Sequence, residues 1–377
     1  MTEQKKFIQV VNLYPLIFDM RAQEDYMLIH NTIMKEKGYD CEIITLRAQG
    51  NKTIETKFAN DIAAVEYHQG FKISRFETTM QLLNYVRKHP KAIVQANLRP
   101  FPPSSFVGFL GNKKVMRSYT YVMGSNPLIA IFTALIFRRF SKVLAVTPYE
   151  ADVYRKWLIP EKKIWLIPLA IDYEMFSKKV QYGNLKETFG IKEKDKVVIA
   201  VANVRKHKRY DVLLKAIPLV RKEIPDVKFV IVGEDMLQRG QNLPSVKQMA
   251  DELHVAESVI LTGYQSPEAL HKLYSLSDVF VHTAENEYQG LVSYEAAAMG
   301  LPLCISDIGS HTTVFTEHAL YHGVEDFQKL SENIILSIKN KASRESHVAF
   351  LREHMKNWDY PIIKKQLSEM YDELISE

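Results

Sequence analysis

The sequence predicts an α/β fold in two halves, each a parallel sheet wrapped by helices. Both halves alternate short apolar, β-rich runs with amphipathic segments, the pattern of strands joined by crossover helices. A length of 377 residues suits two domains better than one core. A polar stretch, Ile171–Lys196, contains Gly183 and Gly190 and reads as a linker that buries little.

In the first half, Phe7–Val11 predicts a strand, Glu24–Lys37 a helix and Cys41–Leu46 a second strand. Thr79–Lys88 reads as a helix leading to the strand Ala92–Gln95. Val115–Val122 and Lys142–Val146 follow as strands, with the apolar helix Leu128–Phe137 between them. That helix reads as mostly core, with only its Arg-rich end exposed. Pro148–Trp157 is a helix and Ile164–Pro168 a short closing strand.

The second half repeats the alternation. Strands are expected at Val197–Val201, Val227–Val232, Val259–Leu261, Val279–His282 and Leu303–Ser306. Helices are expected at Tyr210–Glu223, Pro244–Leu253, Pro267–Ser275, Leu291–Met299 and, after Trp358, at Ile362–Ile375. Ligands of open parallel sheets gather outside the carboxyl ends of the strands. Two such domains facing one another would enclose a cleft, and chemistry is expected there.

Composition is that of an ordinary globular chain, 46% hydrophobic and 25% charged. No run of about 18 uncharged apolar residues is present, so a spanning helix is not expected. The N-terminal apolar run is too short and broken for a signal-peptide core. Cys41 and Cys304 are expected as reduced, buried thiols of a cytoplasmic protein. The net charge of +5 is unevenly spread: no carboxylate lies between Glu77 and Glu150, where Arg87, Arg99, Lys113, Arg138, Arg139 and other cations fall. The 78–149 stretch suits an anionic surface, an acidic acceptor or nucleic acid, and it can also be a plain solvated face.

The segment from Glu287 to Glu295 places two carboxylates across a strand-to-helix turn, with Gly290 at the turn. Leu291 and Val292 would offer backbone N–H groups at a helix start, which attracts anions. Glu295 falls one turn further, about 6–7 Å along the axis. A diphosphate at the helix start would then meet an acid on either side, and a carboxylate accepts well from vicinal hydroxyls. Acids at this spacing are common, however, and also arise as a loop Glu and a surface helix Glu.

The surrounding sequence favours a functional pair through a resemblance. Glu287 to Pro302 reads E-Y-Q-G-L-V-S-Y-E-A-A-A-M-G-L-P, which resembles the E-x7-E signature of the retaining GT-B glycosyltransferases of family 4. Ser141–Glu150, Ile164–Phe176, Phe229–Gly233, Leu261–Tyr264, Leu273–Phe280 and Trp358–Tyr371 resemble further segments of that family in order. The resemblance implies two Rossmann-like domains facing across a cleft, with a C-terminal helix that crosses back to the first. The domains would span 1–172, completed by about 358–377, and 173–357.

The resemblance also implies roles. Glu287 would contact the donor sugar and Glu295 the nucleotide ribose. Backbone around Gly290, Leu291 and Val292 would hold the diphosphate, and Gly263 would line the base pocket. The family's Arg and Lys after the first strand of the second domain fall on Val201–Asp211, where Lys208 takes the Lys place. Asn203 takes the usual Arg place, with Arg205 two residues on. Fixed cations here, Arg205 and Lys208 with Lys206 and Arg209 as substitutes, would stabilise a departing diphosphate. No Asp-x-Asp and no zinc spacing occur in the sequence, so no metal is expected, and His282 reads as a strand-end residue. The co-substrate would be a UDP- or GDP-linked sugar, with no other cofactor.

The first domain departs from the family. The loop after its first strand, Asn12–Asp25, has no glycine, and the His often found after a middle strand is missing. Arg21, Arg117 and Tyr119 are the acceptor-side candidates. A hexose would pass to a lipid, a lipid-linked saccharide or a polysaccharide, with peripheral contact to anionic membrane through 78–149, at its inner face, and no nucleic acid. The alternatives are a catalytically silent or nucleic-acid-binding protein of the same fold, or a sugar-nucleotide epimerase.

Overall fold

A computed structural model describes residues 5–11, 21–46, 65–68, 70–98, 104–118, 127–235, 237 and 244–377. The chain forms two compact units, Met1–Leu169 with Pro361–Glu377, and Ala170–Tyr360.

The first unit is built on strands β1 Lys6–Val11, β2 Asp40–Leu46, β3 Val65–His68, β4 Phe71–Phe76, β5 Ile93–Leu98, β6 Lys113–Ser118, β7 Lys142–Ala145 and β8 Ile164–Leu166. Their order is β3-β4-β2-β1-β5-β6-β7-β8. All neighbours are parallel except β3, which pairs antiparallel with β4. A parallel sheet covered on both faces needs strands that are apolar throughout; Phe7, Ile8, Val10 and Val11 of β1 are all buried. Gln9 interrupts that run and is satisfied. Its Nε2 donates to the Met27 carbonyl at 2.6 Å and to Asn31 Oδ1 at 2.8 Å.

The C-terminal helix completes this unit. Ile363, Leu367, Met370, Tyr371 and Leu374 form its buried stripe, at the three- and four-residue spacing of one helix face. Each contributes about 1.5–3 kcal/mol of burial. The Tyr371 hydroxyl donates to Gln95 Oε1 at 3.1 Å and lies 2.8 Å from His30 Nδ1. Lys142, 1% exposed, is neutralised by Glu373 and by Glu377 at 3.2 Å. Removing those acids would strand a buried cation.

The second unit holds β9 Lys196–Val201, β10 Val227–Val232, β11 Val259–Gly263, β12 Val279–His282, β13 Leu303–Ser306 and β14 Leu320–His322. All are parallel in the order β11-β10-β9-β12-β13-β14, the doubly wound order that reverses between β9 and β12. Side chains of β9 alternate between two cores. Val197, Ile199 and Val201 pack into one, and Val198 and Ala200 into the other.

Three expectations need correction. The 171–196 stretch is part of the second unit: Ile171, Phe176 and Ile191 are buried in its core, and Ile171 N–H donates to the Trp358 carbonyl at 2.9 Å. Its apolar residues are too widely spaced to show a period. Between Ser306 and Trp358, where the pattern predicts no element, the chain forms β14 and helices Gly309–Phe315, Phe327–Lys339 and Glu345–His354. The exposed part of the helix Pro127–Phe137 is not confined to its Arg-rich end, since among the described side chains Ile131, Phe132 and Leu135 face solvent.

Candidate active site

The second unit gathers its polar chemistry at the carboxyl ends of β9 and β12, where the sheet order reverses. After β9 the chain turns beneath Gly233. A Cβ at Gly233 would lie 2.2 Å from the Ala202 carbonyl oxygen, and its φ is +133°, so only glycine fits. Asn203 Oδ1 accepts the Glu234 N–H at 3.2 Å, which fixes the turn. Arg205 is extended, and Lys206–Lys208 form a tight helical turn.

The loop after β12 is stitched to that turn. Thr283 Oγ1 donates to the Lys208 carbonyl at 2.7 Å, and Glu285 N–H to the His207 carbonyl at 2.9 Å. These bonds place the Lys208 ammonium on the Glu287 carboxylate. Both side chains are only 16% exposed. Glu287 Oε1 also accepts the Tyr288 N–H at 3.1 Å, and His282 Nε2 lies 3.4 Å from Oε2. Burial alone would raise the Glu287 pKa, but the Lys208 charge and His282 outweigh it and hold the group well below the ordinary carboxylate range.

Gly290 follows in the left-handed region, φ 68° and ψ 57°. It opens the helix Leu291–Ala298, which has no side-chain cap at its N-terminus. The N–H groups of Leu291 and Val292 therefore have no intrahelical partner, while that of Ser293 reaches the Gly290 carbonyl at 2.8 Å. One turn on, Glu295 Oε2 accepts from the Tyr274 hydroxyl at 3.1 Å. Burial pushes its pKa up to about 7, with the Tyr274 bond opposing. The two acids thus sit in contrasting environments. Glu287 is firmly ionised, and Glu295 titrates near neutrality.

Lys208, Glu287, Gly290, Leu291, Val292 and Glu295 occupy one end of the sheet around the reversal, with Asn203 and Arg205 on the adjoining turn. Lys206 is exposed. Arg209 is engaged elsewhere, by Asp211 at 3.0 Å and Glu325 at 3.2 Å, so it is no substitute for Lys208. Gly263 ends β11, the outermost strand, at φ +68° with open space beside it. Arg21 and Arg117 have described backbone, in the first helix and in β6, but their side chains and all of Tyr119 lie outside the described residues.

Three histidines belong to this site. His282 closes β12 as a strand-end residue, and its ring also reaches Glu287. Its ring lies 5.2 Å from that of His311, and His311 Nδ1 meets the Ser306 carbonyl at 3.0 Å. Burial depresses the pKa of all three, that of His207 to about 4 and that of His311 to about 3. Ser293 Oγ, Ser310 Oγ, His282 Nδ1 and His311 Nε2 are buried without a hydrogen-bond partner. Buried polar atoms are normally satisfied, and these four lie at the end of β12 and in the helices Leu291–Ala298 and Gly309–Phe315.

Comparison with known proteins covers this part of the chain. Residues 182–353, which contain the whole cluster, match the family described as glycosyl transferases group 1. N-acetyl-alpha-D-glucosaminyl L-malate synthase of Bacillus anthracis is 28% identical over 188 residues, covering 50% of this chain and 47% of that protein. Alpha-monoglucosyldiacylglycerol synthase of Streptococcus pneumoniae is 29% identical over 173 residues, covering 44% and 38%. The chain thus spans about half or less of the length of the curated relatives it matches. Sucrose-phosphate synthase from Thermosynechococcus elongatus superposes with a TM-score of 0.77 at 16% identity, covering 99% of this chain and 100% of that one. Residues 182–353 thus resemble the glycosyl transferases group 1 family, and the chain as a whole has the GT-B fold.

Proposed function

We propose that the protein is a retaining glycosyltransferase of the family 4 type, moving a hexose from a nucleoside-diphosphate sugar to a lipid, lipid-linked or polysaccharide acceptor. The observation that carries this reading is the Lys208–Glu287 pair set beside the uncapped start of the helix Leu291–Ala298. The diphosphate would sit on the N–H groups of Leu291 and Val292, where the helix dipole favours negative charge. Lys208, with Arg205 on the same turn, would stabilise the charge that develops on the leaving diphosphate. These cations do there what a metal does in other transferases, which supports a metal-independent reaction.

Glu287 would orient the sugar through its hydroxyls. Its depressed pKa keeps it a pure acceptor at neutral pH. Glu295 would take the ribose hydroxyls, whose donation stabilises its ionised form. Binding of the donor would draw Lys208 from Glu287 toward the phosphates, freeing the carboxylate for the sugar. The two curated relatives, by their names a glucosaminyl-malate and a glucosyldiacylglycerol synthase, join sugars to small-molecule and lipid acceptors. This is consistent with either acceptor class here.

Thermal-shift titration with UDP, GDP and ADP tests the donor side, since a ligand of the native state raises apparent stability by mass action. Donor hydrolysis or transfer should then disappear in Glu287→Ala and Lys208→Ala. Activity surviving in both variants would end the reading.

A further inference from the structure

The first unit carries a surface that the donor chemistry does not use. The helix Pro127–Phe137 buries Thr133, Ile136 and Phe137, yet Ile131, Phe132 and Leu135 are 58%, 51% and 57% exposed. That spacing is one helix face. Arg138 and Arg139 follow directly, both exposed. The short helical turn Ser104–Phe109 packs against the same helix: a Cβ at Gly108 would lie 3.5 Å from Ile136 Cγ2 and 3.2 Å from the ring of Phe140, just past the helix end. It brings Phe106 and Phe109, 39% and 56% exposed, to the same surface.

Cations are interleaved with these side chains. The Arg139 guanidinium lies 4.9 Å above the Phe109 ring. Arg138 Nε donates to the carbonyl of Leu158 at 3.0 Å, and Leu158 is itself 69% exposed. Lys163 Nζ donates to the Arg138 carbonyl at 2.7 Å. The nearby acids Asp152 and Glu161 are both taken up by Arg155. An exposed apolar cluster of this kind marks a partner surface. The charge says which partner: no carboxylate occurs between Glu77 and Glu150, so the complement is anionic. Phe, Ile and Leu tips rimmed by guanidinium groups match the layering of a bilayer, hydrocarbon beneath phosphate. An acidic protein surface would reward the arginines and leave the apolar tips without purpose.

We propose that this face docks the first unit on an anionic lipid bilayer. The inference stands apart from the transfer reading, because it uses no residue of the second unit.

Flotation with vesicles of equal parts phosphatidylglycerol and phosphatidylcholine, against phosphatidylcholine alone, tests it. The wild-type protein should float with the anionic vesicles and lose binding as salt is raised. Both F109S/F132S/L135S and R138Q/R139Q should bind about tenfold more weakly. All substituted side chains are exposed, and unchanged thermal melting and nucleotide response would show that both variants fold. Failure of the wild type to float would overturn the proposal, as would variants that float equally well. So would self-association in solution that the variants abolish, since the face would then join two copies of this chain. A protein that floats but binds no nucleotide would refute the transfer reading and leave the docking surface intact.

Discussion

Glu287 and Gly290 approach so closely that a Cβ at position 290 would lie 2.8 Å from Glu287 Cγ. The backbone at Gly290 is also left-handed, a conformation that costs other residues about 1 kcal/mol or more. Gly290→Ala should therefore push the Glu287 side chain off Lys208 while the rest of the unit stays folded. We expect a stability loss of about 1–3 kcal/mol by urea unfolding and transfer reduced by tenfold or more. Normal activity in a correctly folded Gly290→Ala protein would show that the position of Glu287 does not matter.

Removing the cation of the pair should be worse for stability than removing both charges. Lys208→Met leaves a mostly buried carboxylate beside His282 and should cost about 3 kcal/mol. Glu287→Gln in the same background should restore part of that, without restoring activity. The pH dependence has a definite sign. The Glu287 pKa is depressed in the folded state, so its stabilisation is present above the unfolded value near 4.5 and is lost as pH falls through the folded value. Lys208→Met should flatten that acid limb. Equal stability of the single and double variants at neutral pH would contradict the pairing.

The buried histidines act over a different window. His311 and His207 stay neutral when folded, with pKa values near 3 and 4, while the unfolded chain takes up protons below about 6.5. Stability is lost as pH falls from that value toward the folded pKa, by about 1.4 kcal/mol per pH unit for each histidine. His311→Gln should reduce the slope by about that amount between pH 6 and pH 4. Urea unfolding at several pH values measures it, and an unchanged slope would place the His311 ring in water.

The acids were legible in sequence because their chemistry is local. Glu287, Gly290 and Glu295 lie on one strand-to-helix turn, and the apolar runs around them are long enough to identify β9, β10 and β12. The histidines were not legible. His282 and His311 meet only because β12 and β13 are neighbours, a pairing that residue spacing does not display. Arg209 looked interchangeable with Lys208, and only the fold shows its guanidinium committed to Asp211 and Glu325. The exposed face of Pro127–Phe137 was hidden for another reason. A helix that is apolar on all sides has no polar stripe to reveal which side meets water.

Glu295 offers the sharpest separation of binding from folding. Its folded pKa near 7 lies above the unfolded value near 4.5, so the native state gives up stability as pH rises between them. Glu295→Gln should therefore be more stable than the wild type at pH 8, by up to about 3 kcal/mol. Nucleotide binding should move the other way. The ionised carboxylate is the better acceptor for ribose hydroxyls, so wild-type affinity for a nucleoside diphosphate should rise from pH 6 to pH 8 relative to Glu295→Gln. The comparison cancels titration of the phosphates, which is common to both proteins. Calorimetric titration of both proteins at the two pH values would decide it. A constant affinity ratio would remove Glu295 from the ribose, whatever its effect on stability.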